Sequence, residues 1–286
     1  MYQSETASLK RVLLKHARDA FVSAERTGEQ WRALNYLSEP SYDVACREYD
    51  AFVRVLEELG VSIEWMPRED VGLDSMYVRD ASIVSEQGVV LCHMGKGSRS
   101  NEPDRQQAWF EEAGLRVAGS ISGAGTLEGG DTTWLDSETL VIGRGYRTNE
   151  AGVAQVRDLL PEVKVVTVDL PHWKGPKDVF HLMSILSPLD EDLLLVYSPL
   201  LPVVFRQMVV KRGFRLVEVP EEEFDSQGCN VLAAGPSLAV ALKGNPETRR
   251  RMEAAGVEVH SYQGAEISLK GCGGPTCLTR PLERGS

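Results

Sequence analysis

The sequence predicts an α/β ring in which one ββαβ unit recurs five times around an axis. Pairs of short apolar runs begin at residues 82, 132, 183 and 230, and this spacing of roughly 50 residues is typical of propeller-like or stacked architectures. Each pair precedes a stretch with helical spacing and then a third apolar run. The two chain ends supply the parts of a fifth unit, which closes the ring. We therefore expect residues 1–286 to form a single domain.

The four complete units are predicted from Gly, Asp and Asn residues that separate paired apolar runs, as Gly88 does in the first unit. The predicted strand, strand, helix and strand of each unit are Ser82–Val84, Val89–His93, Pro103–Ala113 and Leu115–Ile121; Thr132–Leu135, Thr139–Ile142, Glu150–Leu160 and Val163–Leu170; Met183–Leu186, Leu193–Tyr197, Pro202–Arg212 and Arg215–Val219; Asn230–Ala233, Leu238–Leu242, Pro246–Ala255 and Val257–Tyr262.

The fifth unit is predicted from both chain ends, with strands at Cys277–Leu278 and Lys10–Lys15, a helix at Ser41–Leu59 and a strand at Val61–Met66. The apolar residues of this helix recur with helical spacing. A single ββαβ unit cannot bury both faces of its sheet, whereas five units around an axis share a core. In such a ring the hairpin loops meet at the axis. An ordinary α/β sandwich with irregular hairpins is the alternative.

The composition excludes several classes of partner. A net charge of −11 argues against a nucleic-acid surface, and the short basic run at residues 249–251 fits a solvated helix face. No stretch is long and apolar enough to predict a membrane span or a signal peptide. The five cysteines are scattered without CxxC pairs, which indicates a reducing, cytoplasmic location. No second Cys/His pair completes a zinc set, so we expect neither a metal nor a cofactor.

Cys277 is the candidate nucleophile because it follows Gly273-Gly274-Pro275-Thr276 near the chain end. Small neighbours leave room for a substrate beside the thiol, and glycines let the backbone approach a ligand closely. A buried structural cysteine is the alternative interpretation of such a residue. Cys272 lies in the same segment and is the rival nucleophile.

Three polar residues occupy the same position at the start of successive hairpins, namely Asp80, Glu128 and His181. Turn residues without a shared role would not have to coincide in this way, so we expect the three to meet at the axis with Cys277. Carboxylates around a thiol raise its pKa. The arrangement makes sense if the substrate is cationic, and a planar guanidinium suits paired carboxylates.

The Arg79-Asp80 segment, Glu128-Gly129-Gly130-Asp131, His181 and the residues 273–277 together resemble the guanidino-group-modifying enzymes of the pentein fold. These include dimethylarginine dimethylaminohydrolases, arginine deiminases and amidinotransferases, and the similarity spans nearly the whole chain. The resemblance implies Cys277 as nucleophile, His181 as general acid and base, and Glu128 as the carboxylate that contacts both guanidinium and histidine. It implies a set of substrate-binding residues that comprises Asp80, Asp74, Asp131, Arg99 and Arg147, the two arginines holding an α-carboxylate.

The expected reaction is therefore hydrolysis of an arginine-type guanidinium through a Cys thiouronium intermediate, with methylated arginine giving citrulline and methylamine. Arginine deiminase and arginine dihydrolase remain open, because the chain end leans toward the deiminases and many dimethylarginine hydrolases carry an acidic residue where Arg79 stands. An amidinotransferase and a non-catalytic ribosome-binding member of the fold are the remaining alternatives. The expected partner is a small cationic guanidino substrate, without nucleic acid or membrane; a homodimer is left open.

Overall fold

Five three-stranded sheets carry the β structure of the computed structural model, which describes residues 3–178 and 180–285. Residues 1, 2, 179 and 286 of the predicted domain lie outside this description. In every sheet the middle strand pairs antiparallel with one neighbour and parallel with the other. The parallel pair is joined through a helix, because parallel strands need a long crossover. This is the predicted ββαβ unit.

The elements in chain order are β1 (Ser8–Leu14), α1 (Ala17–Phe21), α2 (Ala24–Gln30), α3 (Tyr42–Glu58), β2 (Ser62–Trp65), β3 (Ser82–Ser85), β4 (Gly88–Leu91), α4 (Glu102–Glu112), β5 (Val117–Ser120), β6 (Thr132–Asp136), β7 (Thr139–Arg144), α5 (Glu150–Leu159), β8 (Lys164–Asp169), β9 (Leu186–Asp190), β10 (Leu193–Val196), α6 (Val203–Lys211), β11 (Arg215–Glu218), β12 (Leu232–Gly235), β13 (Leu238–Leu242), α7 (Pro246–Ala254), β14 (Glu258–Tyr262) and β15 (Arg280–Gly285). The short helices α1 and α2 were not predicted, since five and seven residues are too few to establish a period.

The two chain ends form the fifth unit, as predicted: β15 pairs antiparallel with β1, and β1 pairs parallel with β2. The predicted strand at Cys277–Leu278 is wrong. Residues 275–278 form a turn, in which the Leu278 amide donates to the Gly274 carbonyl at 3.1 Å, and the strand begins only at Arg280. Cys277 therefore lies in the loop at the axis, where its thiol is not committed to a sheet face.

The third and fourth hairpins also begin later than predicted. Residues Leu182–Ser184 form a single 3₁₀ turn, and β9 starts at Leu186 rather than at Met183. Strand β12 starts at Leu232 rather than at Asn230. A short turn or loop thus precedes the first strand of each unit, and this segment carries the polar residues that face the axis.

Contacts between neighbouring units close the ring. Strand β9 contacts β12, β12 contacts β1, and β15 contacts β3. The first and second units are joined by the Gly129 amide, which donates to the Asp80 carbonyl at 2.8 Å. The second and third are joined by the Leu182 amide, which donates to Asp131 Oδ1 at 3.1 Å. Every unit therefore touches the next around the axis.

Helix α3 illustrates how the helices cover the sheets. Its buried residues are Ala45, Tyr49, Phe52, Val53 and Leu56, which lie on one stripe. The Phe52 ring packs 4.7 Å from the ring of Tyr262 in β14. Burial of such a stripe supplies most of the stability of a helix in a folded protein. Within the described residues, no helix combines the length and apolar character that a membrane crossing requires.

Candidate active site

The segments that begin the five units bring five polar side chains together at the axis: Asp80, Glu128, His181, Asn230 and Cys277. All five are buried, with 9% exposure or less. His181 Nε2 lies 2.7 Å from Glu128 Oε2, and His181 Nδ1 lies 4.0 Å from Asp80 Oδ1. Asn230 Nδ2 lies 3.2 Å from Cys277 Sγ. Asp80, His181 and Cys277 line one narrow cleft.

The double glycine after Glu128 is what allows this close approach. A Cβ at Gly130 would lie 2.5 Å from His181 Nδ1 and 2.7 Å from Asp80 Oδ1. A Cβ at Gly129 would lie 2.1 Å from the Arg79 carbonyl oxygen. Any side chain at either position would push the first and third units away from the second. The glycines therefore serve the geometry of the site.

His181 and Glu128 form a buried, charge-assisted pair. Burial opposes ionisation of Glu128, but the hydrogen bond and charge of His181, followed by the charge of Arg147, hold its pKa below the usual range. Burial likewise opposes the charged form of His181. The carboxylates of Asp80, Asp131 and Glu128 outweigh that burial and raise the pKa of His181 to about 9. The imidazole is therefore protonated at neutral pH and able to donate a proton.

The Cys277 thiol lies in an environment that disfavours the thiolate. Burial, followed by the negative charge of Asp80, raises the pKa of Cys277 to about 12, although the Asn230 amide and the Arg79 charge act in the opposite direction. A cation placed between the carboxylates and the sulfur would reverse the balance. The site is thus suited to a nucleophile that becomes reactive only when a cationic group is bound.

Asp80 and Arg99 form a second buried pair. Arg99 Nη1 lies 2.5 Å from Asp80 Oδ2, Arg99 Nη2 donates to the Tyr77 carbonyl at 2.9 Å, and Glu102 accepts from Arg99 Nε and Nη2 at 2.9 and 2.7 Å. Arg99 therefore lines the cleft as a buried cation whose position is fixed by Asp80 and Glu102. Asp80 Oδ1 is buried and has no hydrogen-bond partner among the described residues. It is an acceptor available to a ligand.

Arg147 also lines the cleft, and its Nη1 donates to both oxygens of Glu128 at 3.2 and 3.3 Å. Asp131 occupies a different place from the one expected for a substrate-binding residue. It is fully buried, and its oxygens accept from Thr148 Oγ1 at 2.6 Å and from the Leu182 amide at 3.1 Å. Burial raises the pKa of Asp131 to about 6. This carboxylate positions the segment that follows His181, and we correct its role accordingly.

Asp74 lines the cleft from the 3₁₀ turn Leu73–Met76. Its Oδ2 lies 2.5 Å from Lys96 Nζ, which also donates to the Leu34 carbonyl at 2.8 Å. The Lys96 amide donates to Glu128 Oε1 at 2.8 Å. Asp74 is therefore paired with a protein cation at the rim of the site. Nothing in the sequence pattern indicated Lys96, because the contact arises only when residues from different loops meet.

Asn230 could have been found from the sequence. It opens the fourth hairpin, as Asp80, Glu128 and His181 open the first three. Applying the same reasoning to the fourth unit would have selected it. Its amide was missed because a neutral side chain offers no charge by which to recognise it.

The rival cysteine, Cys272, lines the same cleft but is oriented differently. It adopts a left-handed backbone conformation with φ of 58°, and its Sγ lies 3.8 Å from the Leu269 carbonyl oxygen. Burial raises its pKa as well. Both cysteines are free thiols in the structure. Of the two, only Cys277 has a side-chain amide directed at its sulfur.

The ligand atoms of Asp80, Glu128 and His181 all lie within 4.8 Å of one another, a spacing that a metal ion could use. One imidazole and two carboxylates are a reasonable donor set for a divalent cation. However, Glu128 already holds His181, and Arg99 holds Asp80. A metal ion would have to replace the first of these contacts. The arrangement fits an organic cation without such a rearrangement.

Comparison with known proteins identifies relatives along most of the chain. The family model for N,N-dimethylarginine dimethylhydrolase of the eukaryotic type matches residues 27–284. An N(G),N(G)-dimethylarginine dimethylaminohydrolase of Streptomyces coelicolor is 31% identical over 245 residues, covering 83% of this chain and 86% of that protein. An arginine deiminase of Rhodococcus erythropolis is 26% identical over 244 residues, covering 73% of this chain and 60% of that protein.

Two solved structures share the fold. A dimethylarginine dimethylaminohydrolase from Pseudomonas aeruginosa, a Cys-to-Ser mutant complexed with citrulline, superposes with a TM-score of 0.76 at 23% identity and covers 95% of this chain and 98% of that chain. The N-terminal domain of ArgZ, a cyanobacterial arginine dihydrolase bound to product, gives a TM-score of 0.82 at 20% identity and covers 97% and 98%. These likenesses confirm the predicted ring of five units.

Proposed function

The chain belongs to the dimethylarginine dimethylaminohydrolase family of guanidino-group-modifying enzymes, and we propose that it converts methylated arginine to citrulline and the methylated amine. The coarser activity, hydrolysis at a guanidino group, follows from family membership. The choice of substrate within the class and the role of each residue are our proposal. Cys277 is the proposed nucleophile, His181 the general acid and base, and Glu128 and Asp80 the guanidinium ligands.

The observation that carries the proposal is Asp80 Oδ1, which has no hydrogen-bond partner among the described residues, in the cleft that also contains Cys277 and His181. A guanidinium presents several N–H donors in one plane, and a buried carboxylate oxygen without a partner is a strong acceptor for one of them. Glu128 offers a second carboxylate 2.7 Å from the imidazole. The cation that these groups bind also supplies the positive charge that the Cys277 thiolate requires.

In the first proposed step, the Cys277 thiolate attacks the central guanidinium carbon. A C–S bond forms, and the bond from that carbon to the methylated nitrogen breaks in the tetrahedral adduct. The His181 imidazolium transfers its proton to this nitrogen, so that a neutral amine leaves. Glu128 stabilises the imidazolium before the transfer and fixes the ring orientation. The product of this step is a cationic thiouronium on Cys277.

In the second step, the neutral His181 accepts a proton from water, which attacks the thiouronium carbon. The C–S bond breaks, its electron pair returns to sulfur, and the ureido group of citrulline remains. The remaining proton of the former water passes to solvent as the ureido carbonyl forms, so that imidazolium and thiolate are both restored. The same imidazole thus serves as acid and then as base. The pKa of His181, about 9 in the resting site, falls in the intermediate, because the sulfur is then bonded to a cationic carbon and no longer carries a negative charge.

We assign the α-carboxylate of the amino-acid substrate to Arg147. Within the described residues, the hydrogen bonds of Arg147 to side chains come from Nη1 alone, whereas Arg99 is surrounded by Asp80, Glu102 and the Tyr77 carbonyl. Asp74 is an acid that lines the same cleft, in contact with Lys96. A zwitterionic amino-acid end therefore has a cation and an anion available to it.

Arginine deiminase is the second candidate. The similarity to a Rhodococcus arginine deiminase and the Arg79-Asp80 pair favour it, and arginine dihydrolase is a third outcome of the same chemistry. The three activities differ only in the leaving group and in the number of hydrolytic rounds. Pocket residues common to all three therefore do not decide among them.

A product analysis separates the candidates. The protein is incubated with methylated arginines, arginine, agmatine and guanidinobutyrate, and ureido product, methylamines, ammonia and ornithine are quantified, with Cys277→Ser as the blank. We expect citrulline and methylated amine in equal amounts, formed faster from methylated arginine than citrulline and ammonia from arginine. Preference for arginine would instead establish a deiminase, and ornithine with two ammonia a dihydrolase. No product from any guanidine would overturn the proposal.

A further inference from the structure

Asn230 is held in one orientation beside the sulfur of Cys277. The residue is 4% exposed, and its Oδ1 accepts hydrogen bonds from the Thr276 amide at 3.1 Å and from Thr276 Oγ1 at 2.5 Å. Because two donors fix the oxygen, the NH₂ group must point the other way. That group lies 3.2 Å from Cys277 Sγ. The side chain therefore donates to the sulfur.

We propose that Asn230 is a further catalytic residue, whose side-chain amide stabilises the Cys277 thiolate both when it forms and when it leaves the thiouronium intermediate. The inference rests on the proposed function, because it assigns the residue to the same covalent chemistry. A neutral thiol is a weak acceptor, whereas a hydrogen bond to an ionised acceptor is roughly twice as strong. The amide therefore favours the thiolate over the thiol.

The other groups around Cys277 make this contribution significant. Titratable and charged groups that face the sulfur or share its cleft are Asp80, Arg79, Tyr77, Tyr262, His181, Cys272, Asp74, Lys96, Arg99 and Arg147. Burial and the charge of Asp80 disfavour the thiolate, and the Asn230 amide is the nearest side-chain donor that opposes them. Asp80 and the Asn230 amide thus act on the sulfur from different units of the ring.

The amide also has a place in the second half of the reaction. When water displaces sulfur from the thiouronium carbon, the electron pair of the C–S bond becomes a thiolate lone pair and no proton is needed on sulfur. A donor already positioned at Sγ stabilises this leaving group as the negative charge develops. In the intermediate, sulfur is bonded to carbon and accepts only weakly. The interaction is therefore stronger in the transition states than in the intermediate between them.

Gly274 indicates that the geometry of Asn230 limits what the neighbouring loop can contain. A Cβ at Gly274 would lie 2.5 Å from Asn230 Oδ1 and 2.6 Å from its Cγ. A side chain there would displace the amide from its position between Thr276 and Cys277. The second glycine of the Gly273-Gly274 pair is thus explained by the amide that it contacts.

The test measures the reactivity of the thiol and needs no substrate, so it can fail or succeed whatever the enzyme hydrolyses. The rate at which iodoacetamide alkylates Cys277 is followed by peptide mass spectrometry between about pH 7 and 9.5, in a Cys272→Ser background. In this range the rate is proportional to the thiolate fraction. If a variant raises the pKa of the Cys277 thiol, its alkylation rate falls by the same factor at every pH in this range.

The variants are Asn230→Ala, which removes the donor, and Asn230→Asp, which keeps the shape and places a carboxylate oxygen at the sulfur. Asn245→Ala is the matched control. Asn245 is 7% exposed and hydrogen-bonded to Ser226, but belongs to a different loop. Thermal unfolding of each variant is recorded, so that loss of fold is separated from loss of thiolate.

We expect alkylation to fall about tenfold in Asn230→Ala, the effect of a pKa raised by roughly one unit, and further in Asn230→Asp. Asn245→Ala should alter unfolding without altering the alkylation profile. With an active substrate, kcat should fall in both Asn230 variants while KM changes little. Folded Asn230 variants with the wild-type alkylation profile would overturn the proposal, as would an equal drop in Asn245→Ala.

Discussion

At the scale of single residues, the site resolves a conflict between binding a cation and activating a thiol. Burial, followed by the charge of Asp80, one of the two carboxylates proposed to hold the guanidinium, raises the pKa of Cys277. The charges of Asp80, Asp131 and Glu128 raise the pKa of His181, so that the imidazole is protonated before the thiol of Cys277 ionises. Binding of the cation adds the missing positive charge and favours the thiolate. A thiol in such an environment is not generally reactive, because the thiolate forms when a cation of the substrate class is bound.

The first prediction concerns Arg147 and the amino-acid end of the substrate. If Arg147 binds the α-carboxylate, arginine-type amino acids should exceed agmatine in kcat/KM by roughly a hundredfold, because agmatine cannot make this charged hydrogen bond, which contributes about 1.5–3 kcal/mol. Arg147→Ala should reduce this ratio to within about tenfold. The ratio is the measurement because Arg147 also contacts Glu128, and loss of that contact affects both substrates alike.

Val204→Ala provides a control at an exposed position, since Val204 is 80% exposed on helix α6 and its replacement should leave the ratio unchanged. A wild-type enzyme that treats arginine and agmatine equally would contradict the assignment. So would an Arg147→Ala variant that retains the full ratio.

At the scale of elements, the turn or loop before the first strand of each unit carries the polar side chains that meet at the axis. These short segments can present side chains to the axis because they precede the sheet ladder and are not committed to either face of it. Asn149, the residue before helix α5, contacts one of these segments. Asn149 Oδ1 accepts from the Gly152 amide at 2.9 Å and from the Thr126 amide at 3.1 Å. It therefore anchors helix α5 and the segment that carries Arg147 and Thr148.

The second prediction is that Asn149→Ala lowers the free energy of unfolding by about 1–2 kcal/mol, the usual loss for an N-cap with additional backbone contacts. Asn101→Ala is the matched control. Asn101 occupies the N-cap position of α4, but its side chain makes no capping hydrogen bond. It should therefore lose about 0.5 kcal/mol or less. Urea denaturation of both variants checks this, and equal losses would show that the cap contributes nothing particular to α5.

The sequence-based predictions succeeded where periodicity carried the information. Three hairpin starts, at Asp80, Glu128 and His181, follow from the repeat, and the structure brings these residues within contact distance. The boundaries of β9 and β15 were displaced, because apolar runs do not reveal a turn that precedes the first ladder bond. The spacing of residues along the sequence also does not predict ion pairs between side chains of different loops.

The pairing of Asp80 with Arg99 and Glu102 is one example. The family resemblance implied that Arg99 holds a substrate carboxylate. The structure adds what the sequence did not predict, that Arg99 is buried and paired with Asp80 and Glu102. Such pairing depends on which charged groups come together when the chain folds, and no local sequence pattern predicts them.

At the scale of the whole molecule, the chain ends are tied into the axis of the ring. Arg79, from the first unit, lies 2.5 Å from Glu5 in the N-terminal segment. Arg280 and Arg284 in β15 are buried nearby, and their pKa values are lowered to about 9 and about 10, by burial first and by neighbouring arginines. Burial opposes ionisation of Glu5, but Arg79 and Arg284 hold its pKa below the ordinary value. One carboxylate thus compensates a cluster of buried cations.

The third prediction is that Glu5→Gln destabilises the fold by about 3–5 kcal/mol at pH 7, because it leaves buried arginines without a carboxylate. The folded pKa of Glu5 lies below the unfolded value, so its stabilisation is present above that unfolded value and is lost as pH falls. The difference in free energy of unfolding between wild type and Glu5→Gln should therefore be constant from pH 7 down to about pH 4.5, the ordinary pKa of a glutamate, and narrow as pH falls further.

Asp192→Asn is the control for this measurement, since Asp192 pairs with Arg215 on the surface. Its loss should change stability little, because exposed ion pairs are screened by solvent. A Glu5→Gln variant as stable as Asp192→Asn would show that the axial cluster does not tie the ends of the chain together. A difference that widens toward pH 4 would contradict the assigned direction of the Glu5 pKa.

The central claim is covalent catalysis by Cys277 with His181 as the proton carrier. It is tested by the mass of the His181→Ala variant after incubation with a substrate analogue whose leaving group is a thiolate, which departs without a proton from His181. We predict an added mass equal to the substrate minus its leaving group, located on Cys277 by peptide mapping, because the thiouronium forms but water is not activated. The adduct should be absent from Cys277→Ser, which should also lose turnover by about 10³-fold or more. An adduct on Cys272, or unimpaired turnover in either variant, would contradict the account.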